Sequence, residues 1–119
     1  RRKAVPQTPP IPPHIRARQK LREALRFLHD PREFCIRVSD TVRAYLEERF
    51  DFRAPERTTE EFLRDLDGSA QLVRDHGHEL RSFLSQCDLV KFAKHVPTDA
   101  DHQTTYGLAE AFVEQLVLS

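Results

Sequence analysis

Asp30-Pro31-Arg32-Glu33-Phe34 decides how this chain folds. Upstream of it, Ala17, Leu21, Ala24, Leu25 and Leu28 recur with helical spacing, which predicts a helix over about residues 14–29 with one apolar stripe. A proline cannot extend a helix and disfavours helical backbone in the residue before it, so this helix ends at Asp30-Pro31. The same pair starts the next one. Asp30 can act as N-cap, Pro31 suits the first helical position, and Glu33 at the third can reach back to the cap amide. Phe34, Val38, Val42, Tyr45, Leu46 and Phe50 then mark a buried face as far as about residue 50. With almost no loop between them, the two helices must turn sharply against each other.

Working outward, Tyr45-Leu46-Glu47-Glu48-Arg49-Phe50 leads through a connector containing Ala54-Pro55 into Thr58-Thr59-Glu60-Glu61-Phe62-Leu63. The second stretch reads as a capping box. Thr58 would accept from the Glu61 amide, and the Glu61 carboxylate would return to the amide of Thr58. Thr59 as cap would put Phe62 at the third position and lose the return bond. Phe62, Leu63 and Leu66 would dock this short helix, and Gly68 could supply a left-handed stop.

From Leu72 to Lys94 the pattern is helical but interrupted. Gly77 weakens its continuity, and Leu80, Phe83, Leu84 and Cys87 form a stripe. In Cys87-Asp88-Leu89-Val90-Lys91-Phe92-Ala93, Asp88 is expected to begin a further short turn. Leu89, Val90, Phe92 and Ala93 are apolar on more than one side, which predicts burial between neighbours. Pro97 ends the segment. Thr98 caps a last helix with Asp101 at its third position, and Leu108, Ala109, Phe112 and Leu116 form its core face. No alternating run is long enough for a strand. The expected fold is all-α, a compact bundle of about five to six helices without a sheet.

The 119 residues suffice for one domain that buries a core without disulfides or metal. Hydrophobic residues make up 39% and charged residues 32%, a globular balance. There is no Met, so the chain is expected to be a piece of a longer one. Cys35 and Cys87 stand far apart in apolar helical surroundings, as expected of buried reduced thiols in a reducing compartment. No apolar run approaches the length of a membrane span.

The net charge of zero hides a division. Residues 1–26 hold eight Lys/Arg against Glu23, a net of +7; the remainder holds 11 basic and 18 acidic side chains, a net of −7. An acidic body argues against general nucleic-acid binding, which needs a basic face. Residues 1–13 open with Arg1-Arg2-Lys3 and contain five prolines, a polyproline spacer ahead of a helical domain at 14–119. The arm reads as a solvated tail, a nucleic-acid anchor, or the cytoplasmic flank of a membrane helix further upstream, where positive residues collect.

Residues with catalytic or ligating chemistry have simpler explanations. His76 and His78 beside Asp75 are the only local His cluster, and ligands two apart on a helix do not face the same way. Gly68, Gly77 and Gly107 are isolated and form no phosphate loop. Cys87 with Asp88 and a distant His is a formal candidate for thiol catalysis, but a core cysteine is by far the better explanation. The caps at Asp30, Thr58, Glu61 and Thr98 are structural. No enzyme activity, cofactor, metal or small-molecule substrate is expected.

Between Leu21 and Leu116 the chain resembles the C-terminal cytosolic region of a bacterial membrane-protein family related to the BatD-type proteins of aerotolerance operons. The resemblance is carried by Asp30-Pro31-Arg32-Glu33-Phe34, Tyr45-Leu46-Glu47-Glu48-Arg49-Phe50, Ala54-Pro55, Thr58-Thr59-Glu60-Glu61-Phe62-Leu63 and Cys87-Asp88-Leu89-Val90-Lys91-Phe92-Ala93, with Pro97 after it. Asp51 departs from the glycine expected after Arg49-Phe50. The resemblance implies a transmembrane helix before this region and genetic proximity to a MoxR-type AAA+ ATPase and von Willebrand A proteins. It carries over no catalytic or cofactor residue. The function expected is a cytosolic interaction module on the inner membrane, docking a partner of that kind. Solvent-facing Glu47, Glu48, Lys91 and Lys94 are its possible contact surface, with Arg1, Arg2 and Lys3 next to the membrane. The alternative is a helix-turn-helix-like nucleic-acid-binding domain with a basic arm.

Overall fold

The computed structural model describes residues 11–50, 58–66 and 70–117, all of them in helices or the turns between. α1 is Pro13–Ala24, continued by one 3-10 turn at Leu25–Phe27; α2 is Pro31–Phe50, α3 Thr59–Leu66, α4 Ala70–Lys91 and α5 Asp99–Val117. An all-α bundle without a sheet is thus what the described residues form. The expectations placed on residues 1–10, Asp51, Ala54, Pro55 and Gly68, and on the side chains of Phe50, Leu66, Leu72, Asp75 and Leu116, lie outside the described residues.

α2 is the central helix and packs against α1, α4 and α5; α5 also touches α1 and α4. α3 lies against α4, and Arg43 of α2 stacks over the Phe62 ring at 4.8 Å. The buried face of α2 is Phe34, Cys35, Val38, Val42, Tyr45 and Leu46. Leu21, Phe62, Phe83, Leu84 and Phe112 meet it from the other helices, with Phe83 and Phe112 edge to face at 5.6 Å. Each fully buried large side chain stabilises the fold by about 1.5–3 kcal/mol over its exposed state. Three hydroxyls buried in this core have partners. The Ser39 and Thr41 hydroxyls donate to Ile36 O and Arg37 O of their own helix, and the Tyr45 hydroxyl donates to Val113 O.

α1 begins at Pro13, whose ring fixes the dihedral that a first helical residue needs. Its apolar stripe is shorter than the sequence pattern implies. Ala17, Leu21 and Ala24 are buried, but Leu25 and Leu28 are exposed. The chain tightens to three residues per turn at Leu25–Phe27, and the tighter winding swings later residues off the stripe. At the corner, the Glu33 amide donates to Asp30 Oδ1 at 3.2 Å. The return bond expected from Glu33 is absent, because the Asp30 amide already donates to Phe27 O. The Glu33 carboxylate instead accepts from Arg37 one turn along.

α4 is one continuous helix, which corrects two expectations. Gly77 does not interrupt it, since the cost of one glycine in a helix is small beside the packing of α2 and α3 against α4. Asp88 does not begin a new turn, since the Phe92 amide donates to Asp88 O in the ordinary helical register. The burial expected all round this stretch is confined to Cys87 and Val90. Leu89 is exposed, as is Phe92 at 64%. A helix shows only one side to its neighbours, and Leu89 and Phe92 share the other side, three residues apart.

The helix stops at Ala93, which has a left-handed φ of 60°. The Lys94 amide donates to Leu89 O at 2.7 Å and the Ala93 amide to Val90 O at 3.1 Å, the paired closure of a Schellman motif. Glycine is the usual occupant of that position; here it is alanine.

Candidate functional site

Three chain segments converge at one end of the bundle. The α1–α2 corner lies there, α4 finishes there and α5 starts there. Arg32, in the first turn of α2, joins two of them, its Nε donating to Lys91 O at the C-terminus of α4 at 2.8 Å. α5 starts from a full capping box: the Asp101 amide donates to Thr98 Oγ1 and the Thr98 amide to Asp101 Oδ2. The other cap has the same architecture, with Thr58 and Glu61 exchanging bonds of 3.0 and 3.1 Å. His95 Nε2 also lies 3.2 Å from Asp101 Oδ2, tying the α4–α5 connection to the start of α5. The Thr98 amide first, and then His95, hold the Asp101 carboxyl below its ordinary range.

Apolar side chains left in solvent collect at this end. Among the described residues six large ones are exposed; five of them, Leu25, Leu28, Leu89, Phe92 and Val96, sit on the segments that meet here. Leu25 and Leu28 form one wall of a groove of about 430 Å³. The opposite wall is a stripe of α5: Asp99, His102, Gln103, Tyr106, Gly107 and Glu110. Their spacing places them on a single helix face, about three turns and roughly 16 Å long.

Phe34 contributes to the same groove, with its ring edge to face with His102 at 4.8 Å. His102 is buried, so an imidazole lies at the base of a largely apolar surface. Tyr106 is half-buried. Burial and then the Glu110 carboxylate raise its hydroxyl above the ordinary value, with Arg22 acting the other way. Gly107 opens the groove, since a methyl group added there would meet nothing within 4 Å. Asp99 and Glu110 occupy the two ends of the stripe, and no Lys or Arg among the described residues lines the groove. The surface therefore offers an apolar trough with a carboxylate at either end.

The contact residues expected from the sequence do not come together. Lys91 and Lys94 are at the groove end, Lys91 3.6 Å from Asp88 and Lys94 exposed. Glu47 and Glu48 lie about 24 Å away, sixteen residues down α2 from Arg32. Glu48 is ion-paired there with Arg16 of α1. Arg1, Arg2 and Lys3 lie outside the described residues. Sequence reading missed the groove because its walls are more than 70 residues apart in the chain. The available signals were the two leucines beyond the α1 stripe and Gly107 between Tyr106 and Leu108.

Cys35 and Cys87 are both buried and neighbour each other across the α2–α4 seam. The Cys87 neighbour draws the Cys35 thiol down, whereas the Cys35 neighbour and then burial push the Cys87 thiol up, the direction opposite to that of an activated nucleophile. Among the described residues, no group of three or more His, Cys, Asp or Glu side chains could hold a metal ion. No helix among them is long and apolar enough to cross a membrane. Comparison of the chain with protein-family models, curated proteins and solved structures found no match.

Proposed function

We propose that this domain is a protein-interaction module that docks a partner protein at the groove end of the bundle. The observation that carries the reading is the gathering of Leu25, Leu28, Leu89, Phe92 and Val96 in solvent at one end. Clustered exposed apolar residues mark interaction surfaces far more often than singly scattered ones do. The groove beside them has the composition of a recognition site, apolar with a few polar groups. The acidic lining gives nucleic acid no phosphate contact.

The finer part of the proposal rests on the sequence resemblance alone. In that reading the module hangs from an upstream transmembrane helix at the cytoplasmic face of the bacterial inner membrane. Arg1-Arg2-Lys3 flanks the membrane, and the partner is a MoxR-type AAA+ ATPase or a von Willebrand A protein. The module itself catalyses nothing and carries no cofactor.

A titration of the chain with each purified partner tests this, read by calorimetry with the wild type and with a Leu25→Ser/Leu28→Ser double variant. Saturable binding that the double variant weakens at least tenfold supports the reading. Binding by neither partner removes the named partners. Binding indifferent to the double variant removes the groove end as the docking surface.

A further inference from the structure

We infer that the groove takes a cationic amphipathic helix of about three turns. The inference rests on the groove being the docking surface and goes on to name the chemistry of the occupant.

Three observations set that chemistry. The first is length. The α5 wall runs from Asp99 to Glu110, roughly 16 Å, the span of about three helical turns. The second is polarity. Leu25 and Leu28 present apolar surface to the occupant, and Gly107 leaves room at the middle of the stripe. Apolar side chains at helical spacing fill such a trough in the helix-in-groove mode of recognition. The third is charge. Asp99 and Glu110 stand at its two ends without an ion-pair partner among the described residues, and no Lys or Arg among those residues lines the groove. A Lys or Arg one turn beyond each end of an apolar face would meet these carboxylates. An acidic helix would meet repulsion at both ends, so the pair gives selectivity and orientation as well as attraction.

The test uses a fluorescein-labelled helical peptide of about 14 residues, with leucines along one face and a lysine near each end. A counterpart carries glutamates in place of the lysines. Anisotropy titrations are run against the wild-type chain, Gly107→Phe, which fills the open middle of the groove, and Glu110→Lys, which reverses one end. Glu79→Lys reverses an exposed charge on α4, away from the groove. Circular dichroism establishes that each variant is folded.

The expected result is saturable binding of the lysine peptide and none of the glutamate peptide. Gly107→Phe and Glu110→Lys each weaken it at least tenfold, and Glu79→Lys leaves it within about twofold. Should Gly107→Phe not fold, Glu110→Lys against Glu79→Lys decides alone. Equal weakening by Glu79→Lys would reduce the binding to general attraction and overturn the inference. Equal binding of both peptides, abolished by Gly107→Phe, would overturn the charge rule while leaving the groove as a docking surface. Binding of neither peptide would overturn the occupant, and the partner titrations would still decide the module reading separately.

Discussion

Arg32 Nε donates to the main-chain oxygen of Lys91, so the first turn of one helix closes the last turn of another. The carbonyls at a helix C-terminus lack partners within the helix and carry its negative end. A guanidinium supplies both a donor and a positive charge. Arg32→Met keeps much of the aliphatic stem and removes both. Expected is a loss of about 1 kcal/mol, held down from the usual charged-bond value by solvent exposure. Thermal unfolding should show a midpoint lower by about 4 °C.

Ala93 occupies a position made for glycine. A residue with a side chain at left-handed dihedrals costs about 1–2 kcal/mol, and glycine returns part of that gain as unfolded-state entropy. Ala93→Gly is therefore expected to stabilise the fold by about 0.5–1 kcal/mol, raising the urea midpoint without changing the slope. Ala93→Val, branched at Cβ, should move the midpoint the other way. A lower midpoint for the glycine variant would contradict the left-handed closure.

Thr98 and Asp101 start the helix that walls the groove. Thr98→Ala removes the side-chain acceptor for the Asp101 amide and should cost about 1 kcal/mol. The pH dependence has a definite sign. The Asp101 carboxyl titrates below its unfolded value, held there first by the Thr98 amide and then by His95. Its stabilising contribution is thus fully present above the unfolded value, about pH 4, and is lost as pH falls through the lower folded value. Glu114 behaves alike through its bond to Arg18. The difference in melting midpoint between wild type and Asp101→Asn should be widest near neutrality and close toward pH 2.

Cys35 and Cys87 are both buried in the α2–α4 seam. A thiol reagent at pH 7 should label neither cysteine in the folded chain and both in denaturant. Labelling without denaturant should follow the opening of the α2–α4 seam, and slow in step with any stabilising substitution. Cys87→Ser should be more destabilising than Cys87→Ala, because a hydroxyl there needs stronger hydrogen bonds than a thiol.

The parts of the fold visible in the sequence are those governed by neighbours in the chain. Thr58 with Glu61, Thr98 with Asp101, and the proline after Asp30 act over three residues, and their residue types announce them. The α2 stripe from Phe34 to Leu46 is equally local, since one face of one helix carries it. The parts that were not visible depend on distant partners. Leu25 and Leu28 continue an apolar pattern, and only the tightened turn at the corner shows that they leave the core. His102 and Thr105 are buried although polar, because α2 and α4 happen to cover them. The groove stripe of α5 reads as an ordinary solvated face until Leu25 and Leu28 are set across from it. Gly77 looks like a break because propensity is weighed one residue at a time, while α3 and α2 hold α4 along its length.

The antiparallel lie of α1 and α5 has a practical consequence. Arg18 pairs with Glu114, and Leu25 and Leu28 face the start of α5, so Pro13 and Val117 share the end away from the corner. A dye, an affinity tag or a fused domain attached at Pro13 or Val117 would sit on the far side of the bundle from the trough. The domain can therefore be immobilised through these two helix ends with Leu25, Leu28 and Gly107 still facing open solution.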